Sequence, residues 1–348
     1  MTAPAPEFRI GTALIAPGER RSVELPIATL YNSAPVSLPV IVHRGAQPGP
    51  TLFVSAALHG DEIIGVEIIR RLLKLPSLDA LAGTLLAVPV VNVMAFLHQS
   101  RYLPDRRDLN RSFPGSESGS LAARLAHVFL REVVERSDYG IDLHTGAVHR
   151  PNLPQIRTDL RNPVNLRLAQ AFGAPVLLNS KPATGTLRET TTKRDIPVIL
   201  YESSEALRFD ETAIRIGVQG VQNVMRDVGM LAPLPDSAQR AVQPVLAQKS
   251  RWARSPSSGI LRAQVALGDH VAVGQTLGIV GDPFGGNDVA IVSPSEGLVI
   301  GRLNLPLVHE GDALFHIAQV AEPREASLAL AQLEATLRDI ESDEPPIV

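Results

Sequence analysis

The chain has 348 residues, 45% of them hydrophobic and 20% charged, with a net charge of −3. Such values describe a globular protein with a sizeable core, and the length is more than one domain usually holds. The weak charge balance and the lack of a long basic stretch exclude the usual footprint of a nucleic-acid partner.

There are no cysteines, so disulfides and thiolate metal sites are ruled out, although the compartment is not fixed by that alone. Residues 1–20 lack an apolar stretch behind a basic start, and no run of 18 apolar residues occurs. The expectation is a cytoplasmic protein with no signal peptide and no membrane partner.

In chain order, residues 22–46 alternate around Val23, Leu25 and Ile27, then Val36, Leu38, Val40, Ile41 and Val42, which predicts strands. The run 51–58 (TLFVSAAL) has the continuous apolar character of a buried central strand and leads directly to His59. Residues 62–74 predict an amphipathic helix through Ile64, Ile68, Leu72 and Leu75, with Arg70, Arg71 and Lys74 near its C-terminal end. Further strands are expected at 84–92, 139–143 and 196–201, and helices at 121–134, 165–172 and 209–228. Strand and helix in alternation define the α/β class with a largely parallel sheet. The polar residues of interest sit just past apolar strands, where open α/β sheets place ligands.

The texture changes near Pro233. Residues 255–318 are rich in valine, with glycine turns that include Gly259, Gly268, Gly274 and Gly297, and they predict a compact all-β module. Residues 326–340 predict a final helix, and 341–348 a loose tail. The expected division is 1–235 and 236–348.

Three potential metal ligands stand out. His59-Gly60-Asp61-Glu62 offers an imidazole and a carboxylate about one turn apart, and Asp142-Leu143-His144 offers a second imidazole at another strand end. Two histidines and one carboxylate, with a fourth position open, form the ligand set of a hydrolytic zinc site. Asp142 is a candidate support for His144, although strand alternation could turn it elsewhere. Taken alone, His-x-x-Glu is also met as a strand-end histidine beside a helix-start carboxylate.

The segments His59–Glu62, Asp108-Leu-Asn-Arg-Ser-Phe-Pro-Gly115 and Asp142-Leu-His-Thr-Gly146, in that order, resemble the succinylglutamate desuccinylase/aspartoacylase family, which is related to the zinc carboxypeptidases. The resemblance runs from about residue 50 to 320 and is nearer to a bacterial subgroup of deacylases than to aspartoacylase itself.

It implies a zinc-carboxypeptidase-like three-layer α/β/α domain with a mostly parallel sheet. A small C-terminal domain of the lipoyl or biotinyl barrel-sandwich kind would follow. It further implies a zinc-dependent amidohydrolase that removes an acyl group from a small N-acyl amino acid or amine. One Zn2+ would be held by His59, Glu62 and His144. Arg101 matches the arginine that polarises the scissile carbonyl, Asn110 and Arg111 match the pair that holds the substrate carboxylate, and Glu202 matches the general base. Homo-oligomerisation is expected from family habit.

The chemistry asks for these types on its own account. Zinc lowers the pKa of a bound water towards about 7, a glutamate moves the proton, and a guanidinium steadies the oxyanion or clamps a carboxylate. Glu205 competes with Glu202, which is preferred because it directly follows Val198–Tyr201. Many relatives carry a glycine one or two residues after the catalytic glutamate; here Ser203 and Ser204 follow. Arg150, Arg157 and Arg188 are plausible substrate-side cations without an assigned role.

The C-terminal module has no lysine in its hairpin around Asp282–Asp288, and none occurs after Lys249, which argues against a lipoyl or biotinyl carrier. It is expected to be structural, and the resemblance implies that it narrows the active-site entrance; His270, His309 and His316 are expected to be ordinary surface or turn histidines. A zinc carboxypeptidase acting on short peptides and a non-catalytic ligand-binding relative are the rival readings.

Overall fold

The computed structural model describes residues 7–234, 244–321 and 327–328. Its strands are β1 (Phe8–Ile10), β2 (Ala13–Ile15), β3 (Arg20–Thr29), β4 (Pro35–Arg44), β5 (Gln47–Ala56), β6 (Ala82–Val88), β7 (Tyr139–Gly146), β8 (Asn152–Thr158), β9 (Val176–Asn179) and β10 (Val198–Glu205). The C-terminal part adds β11 (Val245–Arg254), β12 (Gly259–Ala263), β13 (His270–Val271), β14 (Thr276–Gly281), β15 (Val289–Val292), β16 (Gly297–Arg302), β17 (Leu307–Val308) and β18 (Ala313–Val320). The helices are α1 (Ile64–Leu72), α2 (Val93–Leu97), α3 (Leu121–Glu132), α4 (Pro163–Phe172), α5 (Leu187–Thr192) and α6 (Glu211–Asp227).

A 12-stranded sheet runs in the order β13-β16-β18-β11-β9-β8-β10-β7-β5-β6-β4-β3. Its pairing is mixed. β6, β5, β7 and β10 are parallel, as are β8, β9 and β11, but β8 meets β10 antiparallel. Antiparallel strands close both ends, with β3 and β4 on one side and β18, β16 and β13 on the other. The expectation of a mostly parallel sheet is corrected accordingly. The reversal at β8 follows from its short link to β7: residues 147–151 are too few for the crossover that a parallel neighbour needs.

Period-two alternation sorts the strand side chains into two cores. Leu52, Val54 and Ala56 of β5, with Ile141 and Leu143 of β7, pack under α1, α4 and α6. Phe53 points the other way, into a core shared with α3 and with β3 and β4. On β7 and β10 the residues facing away from the α1 side are Asp142, His144, Leu200 and Glu202, and parallel pairing sets Glu202 opposite His144. One sheet face thus receives the polar side chains Asp142, His144 and Glu202 while the other is sealed by helices.

Strands β12, β14, β15 and β17 form a separate 4-stranded sheet, whereas β11, β13, β16 and β18 extend the large one. The all-β texture expected after residue 255 is therefore seen, and it is hydrogen-bonded into the main sheet through β9 and β11. The division expected at residue 235 and the expected final helix and tail fall mainly outside the described residues. Among the described residues no helix is long and apolar enough to cross a membrane.

Gly140 tests the tightness of this packing. It pairs with Phe53, whose fully buried ring meets Phe129 edge-on at 6.0 Å. A Cβ on residue 140 would lie 2.1 Å from the Phe53 ring. Gly140→Ala should destabilise by about 1–3 kcal/mol, the usual cost of overpacking. Urea unfolding is the check, and an unchanged midpoint would show that the ring has room to move.

Candidate metal centre and active site

The three expected ligands meet. β5 ends at Ala56, Ala57 turns the chain in the left-handed region (φ 49°), and His59 follows. The Glu62 N–H donates to the His59 carbonyl (3.1 Å), so Glu62 sits in a turn before α1, not in its first turn as the periodicity suggests. His144 lies within β7 instead of just beyond it. One donor atom from each of His59, Glu62 and His144 falls within 4.8 Å of the others, and all three residues are buried.

The two Glu62 oxygens divide between the histidines, Oε1 to His59 Nδ1 and Oε2 to His144 Nδ1, each at 2.6 Å. The opposite ring nitrogens meet carboxylates: His59 Nε2 faces Asp108 Oδ1 (3.1 Å) and His144 Nε2 faces Asp142 Oδ2 (2.8 Å). Ser55 donates to the other Asp142 oxygen (2.8 Å). With the ring proton on Nε2 and directed at these carboxylates, both Nδ1 lone pairs are free for an ion. A carboxylate behind each histidine is the usual device for fixing that tautomer.

Burial alone would push Glu62 up, but His59 and His144 outweigh it and hold the carboxyl well below its usual range. Burial would likewise push both histidines down, yet Glu62 and Asp108 raise His59, and Asp142 and Glu62 raise His144 well above its ordinary value. A divalent cation seated among the three would take the place of the protons that these shifts keep on the imidazoles. The donor set therefore fits such an ion.

The ligands lie at a cavity of about 340 Å³, also lined by Arg101, Asn110, Arg111, Arg150, Arg157, Arg188, Glu202 and Trp252. Arg101 reaches the ligand atoms themselves, at 3.2 Å from His59 Nδ1 and 3.3 Å from Glu62, and donates to Asp108 at 2.9 Å. Asn110 is oriented by accepting the Leu187 N–H (3.0 Å), which leaves its side-chain N–H2 as the group it can offer. Arg111 holds the Asn110 carbonyl (2.6 Å).

Glu202 lies in the cavity wall, accepting from Arg157 (2.8 Å) and from Asn152. Glu205 instead turns away to the His149 N–H (3.0 Å) and Asn304 (3.4 Å). Between them β10 is irregular, and Ser204, two residues after Glu202, adopts φ 57°. The serine thus occupies a left-handed position of the kind that glycine takes without strain.

Arg188 is largely buried and bonds only Ser180 oxygens (3.0 and 3.4 Å); burial and the neighbouring Arg157 push it down to about 10. Six cationic side chains line the cavity against Glu62 and Glu202. Arg111, Arg150, Lys181 and Arg188 have no ion-pair partner among the described residues.

Several site residues escaped the sequence reading. Asp108 opens the quoted Asp-Leu-Asn-Arg motif, and its spacing from Asn110 was the available signal. Asn152 stands on β8, a strand that the proline-broken segment hid; Arg157, expected only as a substrate-side cation, stands on the same strand and pairs with Glu202. Trp252 and His316 come from the C-terminal part. His316 is corrected: it is no surface residue but is 7% exposed, with its ring stacked on Trp252 at 4.4 Å and 5°. Burial and then Arg157 push it down to about 3. His270, by contrast, pairs with Glu296 (3.1 Å) near the surface, and His309 is exposed.

A mixed α/β sheet carrying a buried His-Glu-His group beside a glutamate and arginines is the setting of a hydrolase. The family model described as the succinylglutamate desuccinylase/aspartoacylase catalytic domain matches residues 48–228. The chain belongs to the succinylglutamate desuccinylase/aspartoacylase family and is a hydrolase of amide bonds in N-acyl compounds.

It is 29% identical over 301 residues to the N-alpha-acetyl-L-2,4-diaminobutyric acid deacetylase of Halomonas elongata, covering 82% of this chain and 87% of that one. Among solved structures it is similar to a product-bound ectoine utilization protein from Ruegeria pomeroyi, with a TM-score of 0.77 and 25% identity over 86% of this chain and 94% of that one. It is equally similar to a succinylglutamate desuccinylase/aspartoacylase from Rhodobacter sphaeroides, with a TM-score of 0.77 and 25% identity over 87% and 96%.

Two outcomes follow from this geometry. His316 takes a proton near pH 3 when folded and near 6.5 when unfolded. Between those values the unfolded chain binds the extra proton, so stability falls as the pH is lowered. In His316→Phe, which keeps the stack, the melting temperature should fall less steeply from pH 6.5 to 4 than in the wild type; parallel curves would refute the buried neutral imidazole. Ser204→Gly relieves a left-handed serine at some cost in chain entropy, so a gain of up to about 1 kcal/mol is expected in thermal unfolding. A loss greater than that would show that the Ser204 side chain holds the bulge.

Proposed function

We propose that this chain is a zinc-dependent deacylase that cleaves the amide bond of a small N-acyl amino acid. The observation that carries the reading is the convergence of His59, Glu62 and His144 at a cavity that also presents Glu202 and Arg101. His59, Glu62 and His144 would hold one Zn2+, the metal that prefers this donor set with an open position. Bound there, zinc supplies Lewis acidity towards a water and a carbonyl oxygen.

The remaining steps belong to the protein. Glu202 acts as general base, taking a proton from the attacking water and passing it to the leaving amine. Its ion pair with Arg157 and its bond from Asn152 aim the carboxylate before substrate arrives. Arg101, held by Asp108 against the ligand atoms, meets a carbonyl oxygen approaching the centre and stabilises the negative charge that develops on it. Asn110 and Arg111 clamp the substrate carboxylate. The zinc-carboxypeptidase-like architecture and the division near residue 235 belong to the same reading.

The cavity volume suits a small molecule better than a peptide. Its surplus of unpaired cations favours an anionic N-acyl amino acid. The relative from Halomonas elongata is named for a substrate with a side-chain amine, which this cavity would repel.

The test is amine release from N-acetyl, N-succinyl and N-formyl amino acids and a blocked tripeptide, with and without a chelator. Chelator-sensitive release is expected from the N-acyl amino acids, most of all those with acidic side chains. Release from the tripeptide alone would make the protein a carboxypeptidase. Glu202→Gln should keep its metal and lose at least about 10²-fold in kcat; near-wild-type turnover would remove Glu202 from the role.

A further inference from the structure

The cavity wall contains one aromatic side chain besides the ligand histidines. Trp252 comes from β11, in the C-terminal part of the chain, and lines the same space as His59, Glu62, His144 and Glu202. The rest of the wall is mainly charged or polar; its other apolar contributions are limited to residues such as Ala147, Ala183 and the nearly covered Leu200.

One face of the indole is already taken. Trp252 and His316 are cross-strand partners on β11 and β18, and their rings stack at 4.4 Å and 5° from parallel. His316 is buried, so the far side of the stack is covered by protein and not by solvent. The half-buried Trp252 is therefore held rigidly before any ligand arrives, and its side on the cavity remains for substrate. Such a preset aromatic surface loses little conformational freedom on binding.

We propose that Trp252 is a specificity-determining residue, and that its cavity-facing side takes the hydrocarbon portion of the substrate flanking the scissile amide. The inference rests on the cavity being the substrate site. It assigns the C-terminal module a direct share in substrate choice, beyond narrowing an entrance. The hydrocarbon can lie on the acyl side or on the amino-acid side, and two ligand series separate these sources: N-acetyl- to N-hexanoylglycine, and N-acetylglycine to N-acetylnorleucine.

Trp252 is the only tryptophan of the chain, so the emission of the wild-type protein reports on this wall alone. Titration with the longer members of one series should shift or quench that emission, with affinity rising by up to about fourfold per methylene until the wall is covered. The same series should show kcat/KM rising with chain length. In Trp252→Ala the slope should flatten, mainly through KM, with at least a tenfold fall in selectivity for the longest over the shortest member; Trp252→Phe should restore part of it.

A ligand that is turned over, or that inhibits, without changing the emission at saturation would overturn the proposal while leaving the deacylase reading intact. Emission changes without turnover would sustain the binding wall while the deacylase reading fails. An equal slope in Trp252→Ala and wild type, or no response to any member of either series, would also overturn it. If Trp252→Ala does not fold, Trp252→Phe and the wild-type titration decide.

Discussion

The interaction on which the site depends is the burial of one carboxylate between two imidazoles. Glu62 is removed from water, and a lone charge there would cost several kcal/mol. It is tolerated because each oxygen has a histidine at 2.6 Å and the Thr145 N–H adds a further donor at 3.2 Å. The histidines in turn need Asp108 and Asp142 behind them. Removing any one member leaves another buried and unpaired, so the same network that fits a divalent cation also requires the end of β5, β7 and the Asp108 segment to meet at one place.

That dependence explains which parts were legible in the sequence. His59, Glu62 and His144 could be found because apolar strands deliver them, and the continuous runs before them are readable as buried strands. The supporting acids are set by the same local geometry: Asp142 lies two residues before His144 on one strand, which puts both on one face. Strand alternation therefore favours Asp142 as the support of His144.

The mixed sheet and the clamp on Glu202 were hidden for a common reason. β8 reads Asn-Leu-Pro-Gln-Ile-Arg-Thr, and its proline and polar residues give no apolar run. Yet this strand, antiparallel to β10, places Arg157 across from Leu200 and Asn152 across from Ser204, flanking Glu202 on the active face. Trp252 and His316 were hidden differently. Each is a single residue within its strand, and only pairing between β11 and β18 makes them a surface.

The C-terminal part is bonded into the main sheet as a component. β16 pairs with β8 at Gly301 and Asn152, and a Cβ on residue 301 would come within 2.5 Å of the Asn152 side chain and 3.4 Å of His316. Glycine suits that position because the Asn152 amide that bonds Glu202 would crowd a Cβ there. The Asn304 N–H donates to the His149 carbonyl (2.8 Å), and Asn304 also reaches Glu205 (3.4 Å). The loop between β7 and β8 is thus fastened to the module on one side and, through the His149 N–H and Glu205, to β10 on the other. The side chain of Asn152, which bonds Glu202 from β8, is thus packed against Gly301, a residue distant in sequence.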